Sequence, residues 1–194
     1  PMKKLSTLLI LLVLGGSLQA QSQWTIDTTH SSVQFKVTHM LISSVTGSFR
    51  SYSGLMRCDD QFANAQIEVN IHTESIFTDN IRRDMHLRAD DFFGAETYPE
   101  IRFSSSSFTE IAENRYLIVG DLSIRDVTKP VELVADYKGS IIVAGKEMAG
   151  FEAKGTINRF DFGLQWDDTL DSGSLVVGET VDLILNIKFT RAAD

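Results

Sequence analysis

The chain of 194 residues has one cysteine and three prolines. A lone cysteine excludes an intramolecular disulfide framework and any multi-cysteine zinc or iron–sulfur centre. So few prolines, with thirteen scattered glycines, exclude collagen-like and Pro-rich segments. Basic residues are outnumbered: 18 Lys and Arg stand against 26 Asp and Glu, net −8. Such a chain lacks the basic face that neutralises phosphates, so no nucleic-acid partner is expected. The spacings that mark common chemistries are missing too. Of His30, His39, His72 and His86, no two stand at a zinc-ligand interval, and no metal site is expected. There is no G-x-S-x-G elbow and no Gly-rich loop leading from strand into helix. Ser104 to Ser107 read as a polar or lumen-lining strand. What remains is a globular composition, 43% hydrophobic and 23% charged, with length for one domain.

The first twenty residues read differently from the rest. Lys3 and Lys4 precede an apolar run from Leu8 to Leu14, and Gly15-Gly16-Ser17-Leu18-Gln19-Ala20 follows. A basic start, a short apolar core and a small residue at the cleavage point describe a secretory signal peptide. The run is too short to span a bilayer, which takes about 20 apolar residues. Residues 1–20 are therefore expected to be a leader and 21–194 a single domain in the periplasm. Losing two lysines and no acids, the mature domain would hold 174 residues at net −10. Cys58 is expected to be a small buried hydrophobe.

Beyond the leader, period-two alternation dominates. Ala65, Ile67, Val69 and Ile71 share one face of 65–75, and Val181, Leu183, Leu185, Ile187 and Phe189 one face of 181–189. Segment 33–41 aligns Val33, Phe35, Val37, His39 and Leu41, and segments 131–139 and 151–157 follow the same rule. Less regular strands are expected at 45–57, 101–108, 116–125 and around Trp24, with turns at Asp59-Asp60, Glu113-Asn114, Lys129-Pro130 and Gly145-Lys146. Eight or nine consecutive antiparallel strands suggest a meander closed into an all-β barrel. Residues 78–93 lack alternation and predict a short helical insertion, capped by Thr78 or Asp79, across a barrel mouth or on the outer wall.

Three features bear on function. His39 falls on an apolar strand face, where it is either a hydrogen-bonded core histidine or a polar contact inside a cavity. Arg159, beside Phe160 and Phe162, would suit a phosphate or carbonyl, or else a buried salt bridge to Asp161 or an acid of the helix. Twelve phenylalanines, many in strands, form either an aromatic core or the lining of a tube for a long apolar ligand. An eight-stranded barrel allows both.

Five blocks occur in order: HSSVQFKVTHMLISSVTGSF (30–49), SIFTDNIRRDMHLRADDFF (75–93), YPEIRF (98–103), GDLSIRDVTKPVEL (120–133) and INRFDFG (157–163). Together they resemble the YceI-like family of exported proteins, over roughly 24–190. The resemblance implies an antiparallel eight-stranded lipocalin-like barrel that binds polyisoprenoid or related long-chain lipids. It also implies that Arg83, Asp84, His86 and Leu87 lie in a block joining two barrel strands. One departure is visible: Arg125-Asp126 stands where the family usually has His-Gly before V-T-K-P.

The leading expectation is a periplasmic carrier with no catalytic group and no cofactor, its ligand a polyisoprenoid, prenyl quinone or fatty-acyl lipid. The apolar tail would lie along Phe35, Val37, Phe49, Val69, Ile71, Phe103, Phe108, Phe151, Phe162, Leu183 and Leu185, with the polar head near His39 or Arg159. A homodimer and transient contact with membrane stay open. The alternatives are a lipid-modifying enzyme using His39 or Asp84 and His86 as acid–base groups, and a small outer-membrane barrel. The C-terminal Arg-Ala-Ala-Asp and the lack of aromatic girdles count against the second.

Overall fold

The computed structural model describes residues 21–192, so the leader expected at 1–20 lies outside the described residues. Eleven strands follow one another: β1 (Ser22–Ile26), β2 (Ser32–His39), β3 (Ser43–Phe49), β4 (Tyr52–Cys58), β5 (Gln66–His72), β6 (Ile76–Phe77), β7 (Glu100–Ala112), β8 (Arg115–Ile124), β9 (Val127–Val143), β10 (Lys146–Asn158) and β11 (Val177–Arg191). One helix, α1 (Ile81–Arg88), joins β6 to β7.

The pairings reduce these to eight antiparallel staves. β11 carries β1 along its C-terminal part, Ile26 facing Phe189, and β2 along its N-terminal part, Leu183 facing Phe35. β4 pairs with β1 and β3 with β2, while β5 pairs with β4 and β6 with β3. Each couple is thus one bent stave. Strands β7 to β11 complete the meander, and β1–β11 pairing closes the ring. Closure leaves no long free edge on which another chain could template.

The bends have local causes. Between β1 and β2, Asp27 accepts from the Thr29 N–H at 3.1 Å, an Asx turn, and from Lys188 Nζ at 2.9 Å. Lys188 N–H donates to Ser31 Oγ at 2.9 Å, so β11 stitches the break. The stave expected as one strand over 45–57 is interrupted at Arg50-Ser51. Strand 33–41 is shorter than expected: it ends at His39, and Met40 and Leu41 form the turn.

Two further expectations are corrected. Lys129 and Pro130 form no turn; they lie in β9 opposite Leu122 and Asp121. The reversal occurs at Arg125-Asp126, where Arg125 has φ 56°. β9 pairs with β10 only from Val134 onward. At Pro130 just one edge carries a ladder, which lowers the cost of a missing N–H. The helix cap is neither Thr78 nor Asp79 but Asn80, whose side chain accepts from the Arg82 and Arg83 N–H groups, both at 3.1 Å.

Apolar faces point inward and charged ones outward, as in the Lys138–Glu152 and Arg57–Glu68 pairs on the outer wall. The end bearing the β7–β8 and β9–β10 turns is plugged by aromatics. Phe62, on the 3-10 turn after β4, meets Trp24, Tyr137 and Phe151 with ring centroids 5.2–5.6 Å apart. The opposite end carries the β2–β3 and β8–β9 turns, α1 and the 163–176 connection.

Candidate ligand cavity

Inside the barrel lies a cavity of about 210 Å³. Among the described residues Arg159 and Gln34 are the only polar ones on its wall. Period two explains most of the lining. Phe35 and Val37 reach in from β2, Val69 and Ile71 from β5, Phe103 and Phe108 from β7, Phe151 from β10, and Leu183 and Leu185 from β11. Phe49 closes one side, tilted against Phe35 at 6.0 Å. Rings fit beside the wall because glycines make room. The Phe35 ring occupies the place of a Cβ at Gly47, and a Cβ at Gly120 would stand 2.6 Å from Phe103 Cζ. Ala135 and Ala153, opposite each other on β9 and β10, keep the lumen wide.

Arg159 begins the 3-10 turn Arg159–Phe162 after β10 and is 3% exposed. No salt bridge to Asp161 or to the helix forms. The guanidinium donates instead to three backbone carbonyls: Leu164 (2.6 Å), Gly178 (2.9 Å) and Val177 (3.0 Å). It also lies 4.1 Å over the Phe160 ring. Burial pulls its pKa down, Asp167 and Glu179 acting the other way. Carbonyl dipoles thus hold this cation beside an apolar space.

Two expected site residues are not on the wall. His39 is half-buried at the end of β2, one stave position beyond Val37, toward the mouth. Phe162 is 2% exposed but lines a separate groove, where β9 and β10 splay apart above Val134 and Lys154. The question of aromatic core or aromatic tube has a divided answer. The cluster around Phe62, Tyr116 and Phe151 is core at one end, while Phe35, Phe49, Phe92, Phe93 and Phe103 face the cavity toward the other.

The wall also holds residues beyond the expected lining. Val181 and Ile187 share the face of Leu183 and Leu185 that the alternation marked. Leu87, Phe92, Phe93 and Leu164 come from α1 and from segments without strand periodicity, so no pattern announced them.

The lid over the mouth is tied by polar contacts. Buried Asp84 accepts from Thr78 N–H at 2.8 Å and from its hydroxyl at 2.5 Å. Arg83 donates to Thr78 Oγ1 and O at 2.8 and 2.7 Å. His86 bonds Asp91 at 2.6 Å and meets the rings of Phe92 and Trp166 edge-on, joining α1 to the 163–176 connection. Arg125, the point of departure from the His-Gly of the resemblance, donates to the carbonyls of Phe92 (2.9 Å), Asp90 (3.0 Å) and Gly163 (3.4 Å). His39, Asp84 and His86, the acid–base candidates, do not meet on the cavity wall.

The family model of the YceI-like domain matches residues 24–189. The chain belongs to the YceI-like family. It is 31% identical over 172 residues to a UPF0312 protein of Staphylococcus aureus, covering 87% of this chain and 98% of that one. It superposes on the YceI protein of Campylobacter jejuni with TM-score 0.70 and 31% identity, over 86% of this chain and 96% of that chain. It also shares its fold with a polyisoprenoid binding domain from Saccharophagus degradans, at TM-score 0.62 and 16% identity, over 86% and 97% of the two chains.

Proposed function

We propose that the protein is a periplasmic carrier that holds one long apolar lipid, of polyisoprenoid, prenyl-quinone or fatty-acyl type, in the barrel lumen. The observation that carries this reading is the cavity of about 210 Å³ with a wall apolar except for Arg159 and Gln34. The fold shared with a polyisoprenoid binding domain supports it. Apolar burial supplies most of the affinity, at about 25 cal/mol per Å² before ordering costs. The Arg159 guanidinium is the cation nearest the tail site and suits a head group with an acceptor oxygen, a phosphate or a quinone carbonyl. Export rests on the leader-like 1–20, and release of the protein by osmotic shock tests it.

Titration of lipid-free protein with a prenyl quinone and a prenyl pyrophosphate tests the binding reading. The expected result is saturable one-to-one uptake of at least one of them. Arg159→Met should weaken head-bearing lipids roughly 10- to 150-fold, by loss of a charge-assisted bond of about 1.5–3 kcal/mol, and leave a plain long alkane unaffected. No uptake of either lipid would overturn the proposal.

A further inference from the structure

We propose that the open end of the barrel docks on a lipid bilayer through the β2–β3 hairpin tip and the exposed stripe of α1. This rests on the lipid-carrier reading and adds the surface at which the cargo is exchanged. The tip is made of Met40, Leu41 and Ile42, exposed to 45%, 62% and 92%. Met40 and Leu41 both have positive φ, 49° and 63°. Hairpin turns normally give such positions to Asn, Asp or Gly, since larger side chains are strained there. Local folding preferences therefore do not account for three consecutive apolar side chains at this turn.

The helix adds a second patch. Ile81 and Met85, one turn apart, are 77% and 64% exposed, while Leu87 of the same helix faces the cavity. β6 pairs with β3 at Ser48 and Phe49, and Thr78 lies against Gly47, so α1 starts beside the hairpin.

The size of the patch and its position select the occupant. Of the three arginines of α1, Arg82 is exposed, while Arg83 and Arg88 are drawn back onto Thr78 and the Ile76 carbonyl, and Asp79, Asp90 and Asp91 flank the helix. The exposed aliphatic stripe of Ile81 and Met85 is the feature α1 shares with elements that lie in a membrane interface. Five exposed side chains on a turn and a short helix are far fewer than the roughly 20–30 residues a side of a stable protein interface. The position is continuous with the cavity, because β2 places Val37 and Phe35 on its wall just below the tip. The opposite end also exposes Ile141 and Ile142, but there the Phe62 cluster plugs the barrel.

Flotation of the mature protein with vesicles of phosphatidylethanolamine and phosphatidylglycerol, 3:1, tests the proposal. Wild type should float. Ile42→Glu with Ile81→Glu should cut the bound fraction at least tenfold, and Ile142→Glu at the plugged end should leave it unchanged. Prenyl-quinone uptake in detergent solution, measured on the same samples, reports the cavity separately and should survive the double substitution. Failure of wild type to float, or equal flotation of wild type and the double variant, overturns the docking surface even if uptake is intact. A dimer of wild type that the double variant dissolves would assign the patch to a second copy and overturn it equally.

Discussion

Replacing Ala153 by Leu puts three extra carbons into the lumen without removing any contact. Ala153 faces Ala135 across the β9–β10 ladder, both on the cavity wall. In lipid-free protein the added carbons fill empty space. At about 0.8 kcal/mol per buried CH₂, the gain is at most ~2.4 kcal/mol, less whatever misfit the rotamer carries. With lipid bound, the same three carbons displace an equal length of the ligand's tail. The loss is again up to ~2.4 kcal/mol, or roughly 50-fold in Kd. The two effects should therefore appear together, a higher Tm by calorimetry without lipid and a weaker Kd by tryptophan fluorescence titration. A lower Tm with unchanged affinity would refute the reasoning, since it would mean that position 153 faces close-packed core.

Phe35→Arg, which sets a charge in the apolar lumen, should abolish uptake of a prenyl quinone in a titration of the folded variant. Arg125→Ala removes the donor shared by Asp90, Phe92 and Gly163. It should destabilise by about 1–3 kcal/mol in urea unfolding and accelerate hydrogen exchange in 89–95. Lys188 holds the Asp27 carboxyl down from its usual 3.8 to about 2, with His30 assisting against partial burial. Because the folded pKa is depressed, this contribution is full above pH 4 and lost as pH falls toward 2. Discounted for solvent screening, Asp27→Asn should cost on the order of 1 kcal/mol at pH 6, and the difference from wild type should shrink as pH falls through about 2 and vanish below it.

The barrel was legible because alternation marks a strand with one buried face, and β5 and the 181–189 part of β11 show it. Ten of the expected lining residues fall on the wall for that reason, and Arg159 joins them from a 3-10 turn. His39 misled because it is the last residue of its strand, two past Val37, where alternation no longer implies burial. Phe162 misled because its position depends on the β9–β10 splay, a long-range feature without local signature. Pro130 read as a turn since its effect depends on whether the strand has one neighbour or two. The lid residues Leu87, Phe92 and Phe93 belong to neither period, and only tertiary packing brings them to the cavity. Cys58, by contrast, is 1% exposed, and burial raises its thiol pKa, in keeping with the inert hydrophobe expected.

The most direct test of a lipid-carrying lumen is solvent extraction of protein purified without detergent, followed by mass spectrometry. A long-chain apolar lipid at near-equimolar amount, absent from the Phe35→Arg variant, is the predicted result. A lumen that yields no lipid and takes up neither a prenyl quinone nor a prenyl pyrophosphate would contradict the account.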